Sequence, residues 1–191
     1  MSKPATESVR ELRSETLILE PIVQAHAAKL FDDLQAPELY TFIPHNPPTS
    51  IESLRARYER WEQRQSPDGS EIWLNFAVFH RPMNAYVGTV QATCSKTGAT
   101  HIAYDIFPKY WRRGFARDAC TVLVSYLFSE HKLDIISALL DTRNKASWKL
   151  LESLGFRQIR ILKNADTFKG AASDEFEYEL NQLDWKQRDS K

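Results

Sequence analysis

A strand–helix–strand unit at the centre of the chain constrains the fold more than any other feature of the sequence. Residues 101–107 have the composition of a strand, residues 116–130 repeat apolar side chains at helical spacing, and residues 135–140 form an apolar run typical of a buried strand. Two strands joined through a helix lie parallel in one sheet, with a right-handed crossover between them. The sequence therefore predicts some parallel pairing within a sheet that carries helices.

The elements on either side of this unit predict a mixed sheet. Short connections between residues 72–80, 86–94 and 101–107 favour antiparallel neighbours. The other predicted elements are a strand at 16–20, a helix at 22–35, a helix capped by Thr49 or Ser50 and running to about 65, a helix between Asn144 and Gly155, and strands at 156–162 and 175–180.

From this order we expect an α/β (α+β) fold, a mixed, mostly antiparallel and twisted sheet of about seven strands flanked by helices on both faces. The length of 191 residues favours a single domain over 1–191. Its ends, residues 1–12 and 186–191, are predicted to be flexible.

Charge and cysteine content exclude several classes of protein. Lys plus Arg and Asp plus Glu both total 25, so the net charge is zero and no nucleic-acid partner is expected. No apolar run has the length of a membrane span, and no secretory segment follows Met1, so we expect a cytoplasmic protein. Cys94 and Cys120 lack metal-ligand spacing, so no metal site is predicted.

The junction between residues 101–107 and the following helix has features of a phosphate-binding loop. It reads Tyr-Trp-Arg-Arg-Gly-Phe-Ala-Arg-Asp-Ala from Tyr110. A helix start leaves backbone N–H groups unpaired and carries partial positive charge, and small residues at Gly114 and Ala116 let a phosphate approach the backbone. The spacing is neither that of a P-loop nor that of a dinucleotide-binding loop. A solvated loop remains the alternative at this point.

Two segments in order along the chain resemble the GNAT acetyltransferase superfamily. Its cofactor loop, Gln/Arg-x-x-Gly-x-Gly/Ala, is matched by Trp111-x-x-Gly114-x-Ala116, with Trp111 departing from the first position. Residues 144–156, Asn-Lys-Ala-Ser-Trp-Lys-Leu-Leu-Glu-Ser-Leu-Gly-Phe, are similar to the Asn-x-x-Ser…Gly-Phe helix of one branch. That branch contains ribosomal-protein N-terminal acetyltransferases and their small-molecule relatives. The resemblance covers nearly the whole chain.

The resemblance implies an enzyme that moves the acetyl group of acetyl-coenzyme A to an amine by direct attack in a ternary complex. The acceptor would be a peptide N-terminus or a small-molecule amine, and the protein a monomer or homodimer. Two strands that splay apart, 101–107 and 135–140, would admit the pantetheine arm. The implied cofactor-binding residues are Ile106, Phe107, Arg112, Arg113, Gly114, Phe115, Ala116, Arg117 and Asn144.

Two residues are the main candidates for the chemistry. Glu71 and His80 are weaker candidates for the base, and a water relay would need no dedicated base. Asp105 is the nearby carboxylate that would accept a proton from the amine, its alternative being a surface or turn-anchoring Asp. Ser147 would hydrogen-bond the coenzyme sulfur, its alternative being a plain position in the first turn of a helix. Leu151 stands where the family often has a tyrosine acid, which leaves a non-catalytic acyl-coenzyme A-binding module as an alternative function. The acceptor site is expected between the two N-terminal helices, residues 40–48 and residues 164–174.

Overall fold

The computed structural model describes residues 9–188, which form one sheet of eight strands with helices on both faces. The strands are β1 (Leu12–Arg13), β2 (Leu17–Pro21), β3 (Glu71–His80), β4 (Ala85–Ser95), β5 (Thr100–Ile106), β6 (Ile135–Asp141), β7 (Arg157–Phe168) and β8 (Ala171–Asn181). The helices are α1 (His26–Leu30), α2 (Ile51–Glu62), α3 (Phe115–Glu130), α4 (Lys145–Ser153) and α5 (Gln182–Arg188). The spatial order of the strands is β1-β2-β3-β4-β5-β6-β8-β7.

The predicted fold class is confirmed, with corrections at its margins. Strand β5 pairs with β6 in parallel, and the other neighbouring pairs are antiparallel. The sheet has eight strands rather than about seven, because the two-residue β1 is too short to show alternation in the sequence. The helix predicted at 22–35 is observed only as the shorter α1. Ala36 is extended because it precedes Pro37.

Both predicted flexible ends include residues with regular structure. Leu12 is buried and pairs with Leu19, so the sheet already includes the last residue of the segment 1–12 that was predicted to be flexible. Residues up to Arg188 belong to α5, which the sequence patterns did not predict and which buries Trp185 against the core. Residues 1–8 and 189–191 lie outside the described part of the chain.

The two faces of the sheet carry separate apolar cores. Helices α3, α4 and α5 pack on one face, with Leu123, Leu127 and Leu154 fully buried there. Helices α1 and α2 pack on the other face, where Leu30, Leu54 and Tyr58 form a smaller core with Phe107. We call these the α3 face and the α2 face.

A gap opens between β5 and β6. Among the described residues, β5 and β6 pair at a single position, His101 with Ser137. By contrast, β4 and β5 pair at seven positions, from Cys94–Thr100 to Gly88–Ile106. The carboxyl-terminal part of β5, which leads to α3, therefore has no strand partner on its β6 side. We call this opening the β5–β6 gap.

The hairpin of β7 and β8 reaches over the α2 face. Lys169 at its tip donates a hydrogen bond through Nζ to the carbonyl oxygen of Tyr40, in the segment between α1 and α2. This contact brings together two of the regions, residues 40–48 and 164–174, that the sequence assigns to the acceptor site. Within residues 9–188 no helix is both long and apolar enough to cross a bilayer, and no group of three metal-ligating side chains occurs.

Candidate active site

The start of α3 is open, whereas the start of α2 is closed by side chains. Ser50 caps α2 by accepting a bond from the N–H of Ser53 at 3.1 Å, and the Ser53 hydroxyl accepts one from the N–H of Ser50 at 3.1 Å. Gly114, the N-cap of α3, has a left-handed backbone with φ +85° and no side chain to cap the helix. The N–H groups of residues 114–117 make no hydrogen bond within the described chain. This helix start can therefore bind an anion through its backbone.

Space beside the loop is also available. A Cβ built on Gly114 meets no atom within 4 Å, so an approaching group would find the backbone uncovered. Arg112, itself left-handed at φ +60°, and Arg117 are exposed and can add positive charge. The predicted loop thus has both the donors and the access that a diphosphate requires.

Two other residues of the loop are held by the fold. The Arg113 guanidinium lies 5.2 Å from the ring centroid of Phe115 and 5.9 Å from that of Tyr110. Phe115 is buried, with its ring 4.8 Å from that of His80, so only its backbone faces the loop. Ala116 is half-buried and keeps the first turn of α3 small. Side-chain charge for the ligand would therefore come first from Arg112 and Arg117.

The edge of β5 offers one of its two predicted backbone partners. In an antiparallel pair, successive residues alternate between bonding the partner strand and facing away from it. Because Phe107 bonds to Val87, its neighbour Ile106 turns its N–H away from β4 and toward the β5–β6 gap. Its carbonyl oxygen already accepts a hydrogen bond from the Trp111 indole N–H. The N–H of Phe107 is taken by the carbonyl of Val87 at 2.9 Å, so the structure removes Phe107 as a donor to the cofactor.

A glycine that the sequence analysis did not single out lets β4 approach β5 at this point. A Cβ on Gly88 would lie 2.1 Å from the carbonyl oxygen of Asp105 and 2.8 Å from the Cα of Ile106. Only glycine fits, and a glycine inside a predicted strand is the signal that could have revealed this close approach.

The start of α4 faces the same gap. The Asn144 side chain caps α4 by accepting from the N–H of Ser147 at 3.2 Å. The Ser147 hydroxyl lies 2.7 Å from the hydroxyl of Tyr104, which comes from β5 on the α3 face. Ser147 therefore does more than occupy the first turn of a helix, and Tyr104 is a polar neighbour that the sequence did not indicate.

An ion pair between a buried carboxylate and an exposed guanidinium fixes the turn that carries Asn144. Arg143 pairs with Asp141 at 2.5 Å, and Ser173 on β8 donates a hydrogen bond to the same carboxylate at 2.7 Å. The Arg143 guanidinium holds the pKa of Asp141 down at about 2, so the carboxylate stays charged. The N–H of Asn144 bonds to the carbonyl of Asp141 at 3.0 Å, which ties the cap to the end of β6.

Asp105 lies on the α2 face of β5, opposite Tyr104. It makes no hydrogen bond or ion pair with another side chain of the described residues, and its charge acts on the neutral phenols of Tyr40, Tyr58 and Tyr104. Burial raises the pKa of Asp105 to about 6. Asp105 is half-buried within a strand and so is not a turn-anchoring Asp, and its role as a proton acceptor stays a prediction.

The remaining candidates are packing residues. Leu151 is buried in the core of the α3 face, so α4 presents no acid at that position. Cys94 and Cys120 are free and buried, and burial raises the pKa of both thiols. Neither is an activated nucleophile.

The chain is similar in sequence to proteins of a known family. The family model "Acetyltransferase (GNAT) domain" matches residues 16–157. The chain is 28% identical over 154 residues to an uncharacterized N-acetyltransferase, YoaA, of Bacillus subtilis. The aligned residues cover 80% of this chain and 85% of the relative.

Two solved structures share its fold. One is the ribosomal-protein-S5-alanine acetyltransferase from Vibrio fischeri, with a TM-score of 0.78, 21% identity, and coverage of 93% of this chain and 99% of that one. The other is a ribosomal L7/L12 alpha-N-protein acetyltransferase in complex with coenzyme A, with a TM-score of 0.80, 17% identity, and coverage of 90% and 98%.

Proposed function

This chain belongs to the GNAT acetyltransferase family, and we propose that it acetylates the α-amino group at the N-terminus of a peptide or protein. Acetyl-coenzyme A is the acetyl donor of the family and supplies the group that the amine attacks directly within a ternary complex. The observation that carries the proposal is the open start of α3 beside the β5–β6 gap. The acceptor amine would approach from the α2 face.

The residues around the gap fit coenzyme A. The unpaired N–H groups of residues 114–117 would hold its diphosphate, with added charge from Arg112 and Arg117. The N–H of Ile106 and the side chain of Asn144 would hold the pantetheine arm as an added strand is held. Ser147, at the mouth of the gap, would donate a hydrogen bond to the sulfur as negative charge develops there.

The pKa of the acceptor itself favours an α-amino group over an alkyl amine, whichever base takes the proton. A base with a pKa of about 6 must take a proton from an ammonium whose pKa is about 8 at a peptide N-terminus and about 10 on a lysine-like chain. The transfer is uphill by about 3 kcal/mol in the first case and by about 5 kcal/mol in the second. The difference of two to three kcal/mol is about a hundredfold in the fraction of reactive amine.

Two relatives in fold have names that agree with this acceptor class. One is described as an acetyl transferase that modifies the N-terminal serine of the ribosomal protein L7/L12, and the other is an alpha-N-protein acetyltransferase. Similarity at 16–17% identity shows a common fold, so these names suggest the peptides with which to begin and do not assign the acceptor.

The test is release of free thiol from acetyl-coenzyme A in the presence of matched peptides. The panel contains peptides with a free N-terminus, the same peptides with a blocked N-terminus and one internal lysine, and simple alkyl diamines. We expect thiol release only with free N-termini. Turnover with diamines alone would redirect the acceptor to small molecules, and tight coenzyme binding with no turnover across the panel would favour the non-catalytic module.

Replacing Ser147 tests the role of its hydroxyl. Ser147→Ala should lower kcat by about 100-fold, the cost of removing one donor to a developing anion, while the dissociation constant of coenzyme A changes by less than threefold. Steady-state kinetics and calorimetry on the same preparation check this. An unchanged kcat would remove Ser147 from the chemistry and leave it as a capping position.

A further inference from the structure

Tyr104 and Ser147 form a hydrogen-bonded pair across the β5–β6 gap. The Tyr104 oxygen lies 2.7 Å from Ser147 Oγ and 3.1 Å from the Ser147 carbonyl oxygen. Tyr104 stands on β5, whereas Ser147 lies in the first turn of α4, which follows β6. The pair therefore joins the two sides of the opening that would receive the sulfur end of the cofactor.

The backbone of Ser147 is fixed independently of this pair. Its N–H is bonded to the side chain of Asn144 at 3.2 Å and to the Asn144 carbonyl at 3.1 Å. Only the rotation of the Ser147 hydroxyl remains to be set. Tyr104 is the side chain in contact with that hydroxyl in the described structure.

Two arrangements of the protons satisfy the observed distances. In the first, Tyr104 donates to the Ser147 carbonyl and the serine hydroxyl donates to the tyrosine oxygen. In the second, Tyr104 donates to Ser147 Oγ, and the serine proton is free to point into the gap. Rotation of two hydroxyl groups converts one arrangement into the other without moving a heavy atom.

A negatively charged sulfur in the gap selects the second arrangement. A hydroxyl donates more strongly to an anion than to a neutral oxygen, and donation from Tyr104 to Oγ polarises the serine O–H in the same direction. Burial raises the pKa of the Tyr104 phenol above its ordinary value near 10, whereas a thiol has a pKa near 8.5. The phenol therefore keeps its proton while the sulfur carries the charge.

We propose that Tyr104 is a positioning residue for acetyl transfer, because its hydroxyl donates to Ser147 Oγ and turns the serine proton toward the departing sulfur. This inference rests on the proposed function. No bond to the Tyr104 proton breaks during turnover. The serine hydroxyl is the group that contacts the sulfur, and without Tyr104 it is free to turn back onto carbonyl oxygens of its own helix.

The first test is Tyr104→Phe, which keeps the ring and removes the hydroxyl. We expect kcat to fall about 10-fold while the KM for acetyl-coenzyme A stays within twofold. In a Ser147→Ala background the same change should have no further effect on kcat, because the group it positions is gone. Equal losses in both backgrounds, or a loss that appears in KM alone, would overturn the proposal.

Tyr178→Phe is the matched control. Tyr178 is buried on the same face, and its hydroxyl donates to Glu152 on the same helix α4 at 3.1 Å. The two variants lose comparable hydrogen bonds to α4, so both should shift the melting temperature by a similar amount. Only Tyr104→Phe should lower kcat, and an equal loss of kcat in Tyr178→Phe would show that Tyr104 acts through general stability.

A second test measures binding and needs no acceptor. Coenzyme A and desulfo-coenzyme A, which lacks the thiol, are titrated between pH 7 and pH 9.5. As the thiol ionises, wild-type protein should come to favour coenzyme A over the desulfo form by about fivefold, and Tyr104→Phe should lose this gain. A flat ratio in the wild-type protein overturns the proposal without any variant.

The results separate the inference from the function on which it rests. Wild-type protein that binds no coenzyme A, or releases no acceptor-dependent thiol, contradicts the proposed function. Active wild-type protein together with an equally active Tyr104→Phe variant contradicts the inference alone.

Discussion

The two sides of strand β5 present opposite chemistry although they are one residue apart in the sequence. On the α3 face, Tyr104 meets Ser147, and the uncapped N–H groups of α3 follow a few residues later. Every one of these groups is neutral and can donate a hydrogen bond. On the α2 face, Asp105 presents a carboxylate with no hydrogen-bond or ion-pair partner among the described side chains.

Under the proposed function, this difference would let a single strand serve two substrates of opposite charge. Alternation along β5 sends successive side chains to opposite faces, so the proposed donors for an anionic cofactor and the proposed acceptor for an ammonium proton would not compete for one another. If Asp105 lay on the α3 face, it would hydrogen-bond Ser147 or repel a diphosphate. The backbone of β5 would thus separate the two halves of the proposed reaction.

The largest expected effect comes from covering the start of α3. Gly114→Val should weaken coenzyme A binding at least 1000-fold, because its side chain would occupy the space in which a phosphate meets the backbone. Since that space is empty in the structure, the variant should fold, with a loss of about 1–2 kcal/mol for a left-handed backbone. Calorimetry gives the affinity.

Gly170→Val provides the matched control for backbone strain. Gly170 also has a positive φ, +79°, and open space around its missing Cβ, but it lies at the tip of the β7–β8 hairpin. It should lose similar stability and keep its affinity for coenzyme A. Unchanged affinity in Gly114→Val would mean that the anion binds elsewhere and that the two sides of β5 do not differ as described.

The next largest effect is expected on the other side of the strand. Asp105→Asn should lower kcat/KM by about 100-fold near pH 7.5, the usual contribution of a positioned base, with coenzyme A affinity unchanged. In wild-type protein kcat/KM should rise with pH as Asp105 loses its proton. Above the Asp105 pKa of about 6, ionisation of this carboxyl should give no further rise. The variant should lack that step.

If wild-type protein and Asp105→Asn show the same step in the pH dependence of kcat/KM, a group other than Asp105 accepts the proton of the amine. Tyr104→Phe, already described, provides the complementary case, because it should lower kcat about 10-fold without moving the step. Together the two variants show whether the faces of β5 act separately.

Local patterns in the sequence predicted those parts of the site that depend on one segment. Asn144 caps α4 as its residue type indicates, and the period of two along β5 places Asp105 and Tyr104 on opposite faces. The loop at Gly114 follows from the change from strand to helix. Each of these needs only neighbouring residues to be correct.

The rest depends on contacts between distant segments, which no local pattern contains. Tyr104 and Ser147 are 43 residues apart and meet because β5 and α4 pack on the same face. The N–H of Phe107 is taken by Val87 because β4 runs past the end of β5. Strands β7 and β8 extend well beyond their predicted limits because their outer parts are exposed and so show little hydrophobic alternation.

The smallest expected effect is on stability, and its sign distinguishes Asp105 from an ordinary paired carboxylate. Its pKa is about 6 in the folded protein and about 3.9 in an unfolded chain, so folding binds the proton more tightly. Below pH 4 the group is protonated in both states and costs nothing. Between pH 4 and pH 6 the unfolded chain releases its proton first, and this favours unfolding increasingly as the pH rises. Above pH 6 the penalty is complete.

Asp105→Asn should therefore be more stable than wild-type protein at pH 7, by about 2 kcal/mol once the partial exposure of the site is discounted. At pH 4 the two proteins should be nearly equal. Denaturant unfolding at both pH values measures the difference. Asp141, whose pKa is lowered to about 2 by Arg143, predicts the opposite sign, because Asp141→Asn should lose stability at pH 7. A stabilising Asp105 would mean that the carboxylate has a partner in the folded protein, and the α2 face would then lack the free base that we propose.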